Sequence, residues 1–132
     1  MSQENVQTVR QIYEAWAAGD FRAGSDNLDH DVVFLVRPDF PEFGVFHGPD
    51  AIGAYMRRLL EQWERLTLEA EHLRSAGDIV LARVVQHGKG RVSGIEGDNR
   101  YFMLFTFDGR KIVRIEIVMD EAEALRGAGR SE

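Results

Sequence analysis

At 132 residues the chain has room for one domain, and 44% apolar with 29% charged residues is the make-up of an ordinary globular protein with a buried core. Its formal net charge of −6 repels phosphate backbones, which argues against nucleic-acid binding. Cysteine is absent, so disulfides and thiol nucleophiles are excluded.

Residues 2–18 predict an α-helix, with Ser2 placed to cap it and Glu4 near its positive end. Val6, Val9, Ile12, Tyr13 and Trp16 recur at helical spacing, and Gly19-Asp20 closes the segment. Residues 21–28 read as a short, weak helix interrupted by Gly24 and Ser25. Residues 31–37 are β-rich and predict a strand. Residues 38–48 contain two prolines and two glycines and predict a loop. Phe40, Phe43 and Phe46 make that loop unusually apolar, so it is expected to fold over something.

Gly48-Pro49-Asp50 opens a second helix with proline in its first turn. Ile52, Tyr55, Met56, Leu59, Leu60 and Trp63 fall on one of its faces. Leu66, Leu68 and Ala70 then alternate with Thr67, Glu69 and Glu71, as in a half-buried strand. After a turn at Ser75-Ala76-Gly77-Asp78, residues 79–92 predict a long strand. Residues 93–98 form a hairpin connection, 101–107 a third strand of this set, Asp108-Gly109 a tight turn, and 111–119 the last strand. Residues 120–128 predict a short terminal helix. Helices first and a close-set run of strands afterwards give an α+β class built on an antiparallel meander. A long sheet with two helices on one face tends to curl around a cavity.

His30, His47, His72 and His87 are scattered without metal-ligand spacing, so neither metal nor cofactor is expected. No basic region followed by an apolar run opens the chain, and no stretch approaches the roughly 18 apolar residues of a membrane span. A cytoplasmic protein without membrane contact is the simplest expectation.

The layout resembles the nuclear transport factor 2-like superfamily, in particular its SnoaL-like polyketide cyclase and ketosteroid isomerase branches. The likeness is carried by residues 13–20 (YEAWAAGD), 47–52 (HGPDAI), 105–115 (FTFDGRKIVRI) and 120–125 (DEAEAL), so it spans nearly the whole chain as a single SnoaL-like domain over 1–132. It implies a cone-shaped curved antiparallel sheet packed against N-terminal helices, the cystatin-like α+β barrel. It also implies a homodimer formed through the outer face of the sheet. The fold serves unrelated functions, so it does not fix this one.

Aligned with the isomerase pattern, Phe34 and Val36 would face the cavity from the first strand, and Arg83, Val85 and His87 from the second long one. Tyr101, Met103 and Phe105 would follow, then Ile115, Ile117 and Met119. Tyr13 and Trp16 would face in from the first helix, and Tyr55, Leu59 and Trp63 from the second. The expected result is an apolar, aromatic cavity for a small apolar molecule. A register error of one residue would reverse a strand.

By resemblance, Tyr13 would donate a hydrogen bond to a carbonyl oxygen; otherwise it is an ordinary core aromatic. Arg83 facing inward would hold a carboxylate or enolate, and facing outward would be a dimer-face ion pair. His87 would be a general acid/base, or a surface histidine at a strand end. Glu116 is expected on the outer face.

Two catalytic acids of the isomerase branch have no counterpart. The aspartate base falls at Val36 or Arg37, with Asp39 nearby in a proline-bounded loop, and the protonated aspartate falls at Met103. Asp98 and Arg100 share a face, like the Arg and Asp groups of limonene epoxide hydrolases, but in inverted order and at a hairpin start. Two expectations therefore stand. One is an isomerase, cyclase or dehydratase that moves a proton on a small apolar carbonyl compound, using His87, Arg83 and Tyr13. The other is a non-catalytic binding protein for an apolar metabolite.

Overall fold

The computed structural model describes residues 2–18, 20, 24–36, 44–92, 94, 96–120, 122 and 126. Helix α1 (Ser2–Ala17) leads through a short 3₁₀ turn (Ser25–Asn27) into β1 (Leu28–Val36). β2 (Gly44–His47), helix α2 (Gly48–Gln62), β3 (Trp63–Ala76), β4 (Ile79–Gly90), β5 (Glu96–Asp108) and β6 (Lys111–Val118) complete the order. Expectations placed at Gly19, Arg37, Asp39, Phe40 and Phe43, and nearly all of the terminal helix, lie outside the described residues.

The strands form one six-stranded sheet in the order β2-β1-β6-β5-β4-β3. β3 to β6 are the expected antiparallel meander. The sheet as a whole is mixed, because β1 pairs antiparallel with β2 but parallel with β6. β2 and β3 lie at opposite edges, and α2 joins them directly. A 15-residue helix is about 22 Å long, close to the width of six strands spaced about 4.8 Å apart. The crossing is therefore made by a helix laid over one face.

Local chemistry accounts for the ends of these elements. Pro49 sits in the first turn of α2. The helix stops at Gln62, and Trp63 is already extended, at φ −116 and ψ 133. Arg91 ties off that end: its Nε donates to the Glu61 carbonyl at 3.0 Å, its guanidinium to the Trp63 carbonyl at 3.2 Å and its backbone N–H to Gln62 O at 3.1 Å. The β5–β6 hairpin turns on Gly109 and Arg110, closed by the Asp108–Lys111 pair, and Gly109 takes φ +62 at the first turn position. Register shifts near Trp63 and Ala70 on β3 and at Val113 on β6 are bulges, which bend the strands that carry them.

The main core lies between the helices and one face of the sheet. Val9, Ile12 and Tyr13 of α1 and Ile52 and Tyr55 of α2 are buried there against Val80, Ala82 and Val84 of β4, Phe105 and Phe107 of β5, and Ile115 and Ile117 of β6. A smaller cluster on the other face joins Ile79, Leu81, Leu104 and Val118. No helix among the described residues is long and apolar enough to cross a membrane.

Candidate functional site

A cavity of about 790 Å³ opens between the two helices and the inner face of the sheet. This lies in the size range of small-molecule sites. Aromatic rings pack edge-on around it. Phe34 meets Tyr55 at 5.1 Å and 88°, and Tyr13 meets Trp16 at 5.0 Å and 72°. Phe46 of β2 packs on Phe34 and Tyr55 at 6.2 and 5.1 Å, so the last phenylalanine of the expected loop belongs to a strand and backs the wall.

The polar groups gather on the β4–β5 side. Gln86 and Asn99 are direct cross-strand partners and both line the cavity. The Tyr101 hydroxyl donates to Gln86 Oε1 at 3.2 Å. The next inner row is the bare pair Gly88 and Gly97. The Trp63 indole lies on Gly88 so closely that a Cβ there would sit 2.5 Å from the ring. Burial pushes the phenols of Tyr101 and Tyr13 well above the usual tyrosine range, with the neighbouring Tyr55 and Tyr101 phenols adding to the effect, so both stay protonated and neutral. Among the described residues three charged side chains reach the wall, Asp20, Arg57 and Asp98, and all are solvent-exposed.

A shallower hollow of about 250 Å³ lies where β3, β4 and β5 run together beyond the cavity, lined in part by Arg65, Thr67, His87, Lys89 and Asp98. Asp98 borders both spaces, and its carboxylate stands 2.6 Å from His87 Nδ1. Arg65 pairs with Glu96 at 2.7 Å and Lys89 with Glu64 at 3.2 Å around the same hollow. Elsewhere, Asp29, His30 and Asp31 hold ligand-type atoms within 4.8 Å of one another at the start of β1. Sequence spacing of the histidines alone missed that cluster. His30 and Asp31 are exposed there, as unmetallated surface acids and histidines commonly are.

The model of the SnoaL-like domain matches residues 9–115, well over half of the chain. The protein belongs to the SnoaL-like domain family. No curated protein matches it by sequence. Among solved structures it is similar to a nuclear transport factor 2-like protein from Burkholderia thailandensis, at 26% identity and TM-score 0.81 over 95% of this chain and 96% of that one. It is also similar in fold to TerC co-crystallised with polyporic acid, at 14% identity and TM-score 0.77 over 96% and 98%. A protein of ketosteroid isomerase-like fold from Catenulispora acidiphila, in complex with trimethylamine, matches at 16% identity and TM-score 0.73 over 98% and 95%.

In this SnoaL-like domain, Trp16, Phe34, Tyr55, Leu59, Trp63, Tyr101, Met103, Phe105, Ile115 and Ile117 stand on the cavity wall. Trp63 does so from the first position of β3 rather than from α2. Val36 and Met119 pack in or against the core but do not reach the wall. Tyr13 is buried beside the cavity, where its hydroxyl meets the Met103 sulfur at 2.9 Å instead of opening onto it.

The largest correction concerns β4. Val80, Ala82, Val84 and Gln86 face the core and cavity, so Arg83, Val85 and His87 point the other way. Burying Arg83 without an anion would be costly. On the outer face it is exposed, with its guanidinium 6.0 Å from the Phe102 ring. Glu116 is on the outer face as expected and pairs with Arg114 at 3.2 Å. The grouping of Tyr13, Arg83 and His87 around one ligand is therefore not found. Gln86 was missed. The available signal was Arg83 itself: placing the one full charge of residues 79–86 in water puts Gln86 inside.

Proposed function

We propose that this SnoaL-like domain binds a small, largely apolar molecule, and that binding rather than proton transfer is its main activity. The observation that carries this reading is the cavity of about 790 Å³ with an aromatic wall and a neutral polar corner, its described charged groups being solvent-exposed. The small molecules in the TerC and Catenulispora structures support it by fold analogy. Of the three groups expected to move a proton or stabilise an oxyanion, two face away and the third is turned to a thioether. Trp16 and Trp63 both line the cavity and report on its contents. Titration with naphthalene is expected to perturb their fluorescence saturably, and Trp16→Ala to weaken binding. If calorimetry and fluorescence detect no apolar probe, the reading falls.

One contact favours a second reading, an isomerase, cyclase or dehydratase acting on a carbonyl compound. Asp98 borders the cavity and is backed by His87 at 2.6 Å. Asp98 would accept the proton from a carbon next to the carbonyl, with His87 holding its carboxylate in place from outside and the Gln86 amide donating to the carbonyl oxygen. This reading predicts deuterium exchange into the methyl group of 2-acetylnaphthalene, lost in Asp98→Asn. No exchange above the buffer rate in the unaltered protein would remove it.

The outer face of the sheet is our proposed homodimer surface. It presents charges of both signs, such as Arg100 with Glu71 at 3.6 Å, beside the half-buried Phe102. Light scattering on the purified protein checks the mass, and a monomer at all accessible concentrations would refute the dimer.

A further inference from the structure

We infer that the cavity discriminates its ligands by charge and that Gln86 sets the rule. This deepens the binding reading above and rests on it. Where a fixed guanidinium or imidazolium would have invited an anion, the β4–β5 wall carries two carboxamides and a phenol, Gln86, its cross-strand partner Asn99 and Tyr101, with the exposed Asp98 carboxylate at its edge. The Tyr101 hydroxyl occupies Gln86 Oε1 at 3.2 Å, which leaves the amide nitrogen as the donating half of that side chain. Burial holds the Tyr101 phenol protonated, so it adds no negative charge to the corner. Arg57 is the one cation on the wall among the described residues, and it is exposed to water.

The Gln86–Asn99–Tyr101 corner is then the specificity-determining subsite, and it takes the oxygen of an uncharged ketone or amide borne on an aromatic frame. A carbonyl oxygen that accepts from the Gln86 amide satisfies a half-buried donor at little cost. A carboxylate in the same place gives up its hydration to neutral dipoles near the Asp98 carboxylate, inside a chain that already carries a net charge of −6. A bare hydrocarbon fills the same space but leaves the amide without the partner that water had supplied.

The test is calorimetry at pH 7 on the full chain with three probes of one shape: naphthalene, 2-acetylnaphthalene and 2-naphthoate. The ketone is expected to bind about five- to tenfold more tightly than either of the others, the discrimination that one well-placed hydrogen bond supports. Gln86→Leu is expected to bring ketone and hydrocarbon to parity, and Gln86→Lys to shift preference toward the naphthoate. Asn99→Ala, at an exposed position, is expected to lower the ketone preference about twofold without affecting the fold, which covers the case that a Gln86 variant is unstable. If the unaltered protein binds naphthoate as well as the ketone, or Gln86→Leu keeps the ketone preference, the inference is overturned while the binding reading stands. If none of the three probes binds, both fall together.

Discussion

Two faces of the same β4–β5 ladder can be set side by side. Facing the helices, the rows run Val84–Tyr101, Gln86–Asn99 and Gly88–Gly97; facing out, they run Val85–Arg100, His87–Asp98 and Lys89–Glu96. The inner rows carry no formal charge, and the outer rows carry one or two charged or titratable groups each. The backbone is shared, so the difference comes from solvation. Ions are kept where water can reach them, Asp98 at the exposed edge of the cavity among them, and the enclosed rows retain only groups that are neutral at pH 7. For this reason the side chains that looked most reactive in the sequence, Arg83 and His87, are not the ones against the cavity.

The largest effect is expected on the inner face. Phe105 is 1% exposed and packs edge-on against Tyr13 at 6.1 Å. Phe105→Ala should cost about 3–5 kcal/mol in a denaturant titration, because the hole it leaves cannot fully close. High pH should also act there. Unfolded tyrosines ionise near 10, whereas Tyr13 and Tyr101 hold their protons to higher pH in the folded state. Above pH ~10 the unfolded chain therefore binds fewer protons, and stability falls as pH rises, by up to about 1.4 kcal/mol per pH unit for each phenol. It is unaffected by these groups below that range. Alkaline melting curves should show the slope, and Tyr13→Phe should reduce it.

Gly88 sharpens the comparison between the rows. Gly88→Ala drives a methyl group into the Trp63 ring and should cost about 1–3 kcal/mol while shifting tryptophan fluorescence. Arg91→Ala removes two hydrogen bonds to the end of α2 and should cost about 1 kcal/mol, with the loss concentrated at the Trp63 corner in hydrogen exchange. The smallest effect is expected on the outer face. The His87 side chain is 42% exposed and paired with an exposed carboxylate, so His87→Ala should change stability by less than about 0.5 kcal/mol and leave naphthalene affinity unchanged. A large loss of affinity in that variant would show that the two faces are coupled through Asp98.

Strand orientation could be read where only one face is apolar. On β6, Ile115 and Ile117 alternate with Arg114 and Glu116, and both isoleucines line the cavity. On β4, Ile79, Val80, Leu81 and Ala82 are all buried, so alternation carries no information there and the family pattern led to the wrong register. Trp63 misled in another way. Its spacing from Ile52, Tyr55, Met56 and Leu59 continues a helical stripe, but the group that ends the helix is Arg91, far along the chain. The parallel seam between β1 and β6 was likewise hidden, since the long crossing by α2 that leads to it has no local signature.

Local residue chemistry was enough to set the order of helices and strands apart from β2, the turn at Gly109, the acidic character of the chain and the aromatic content of its interior. Those properties depend on propensity, periodicity and composition, which act over a few neighbouring residues. Which face of β4 meets the cavity, where α2 ends, and which hydrogen-bonding groups come together inside were settled by packing. They depend on partners distant in sequence, whose energies enter only when the sheet closes against its helices: Arg83 seeks water, Trp63 settles on Gly88, and Gln86 is carried to Tyr101.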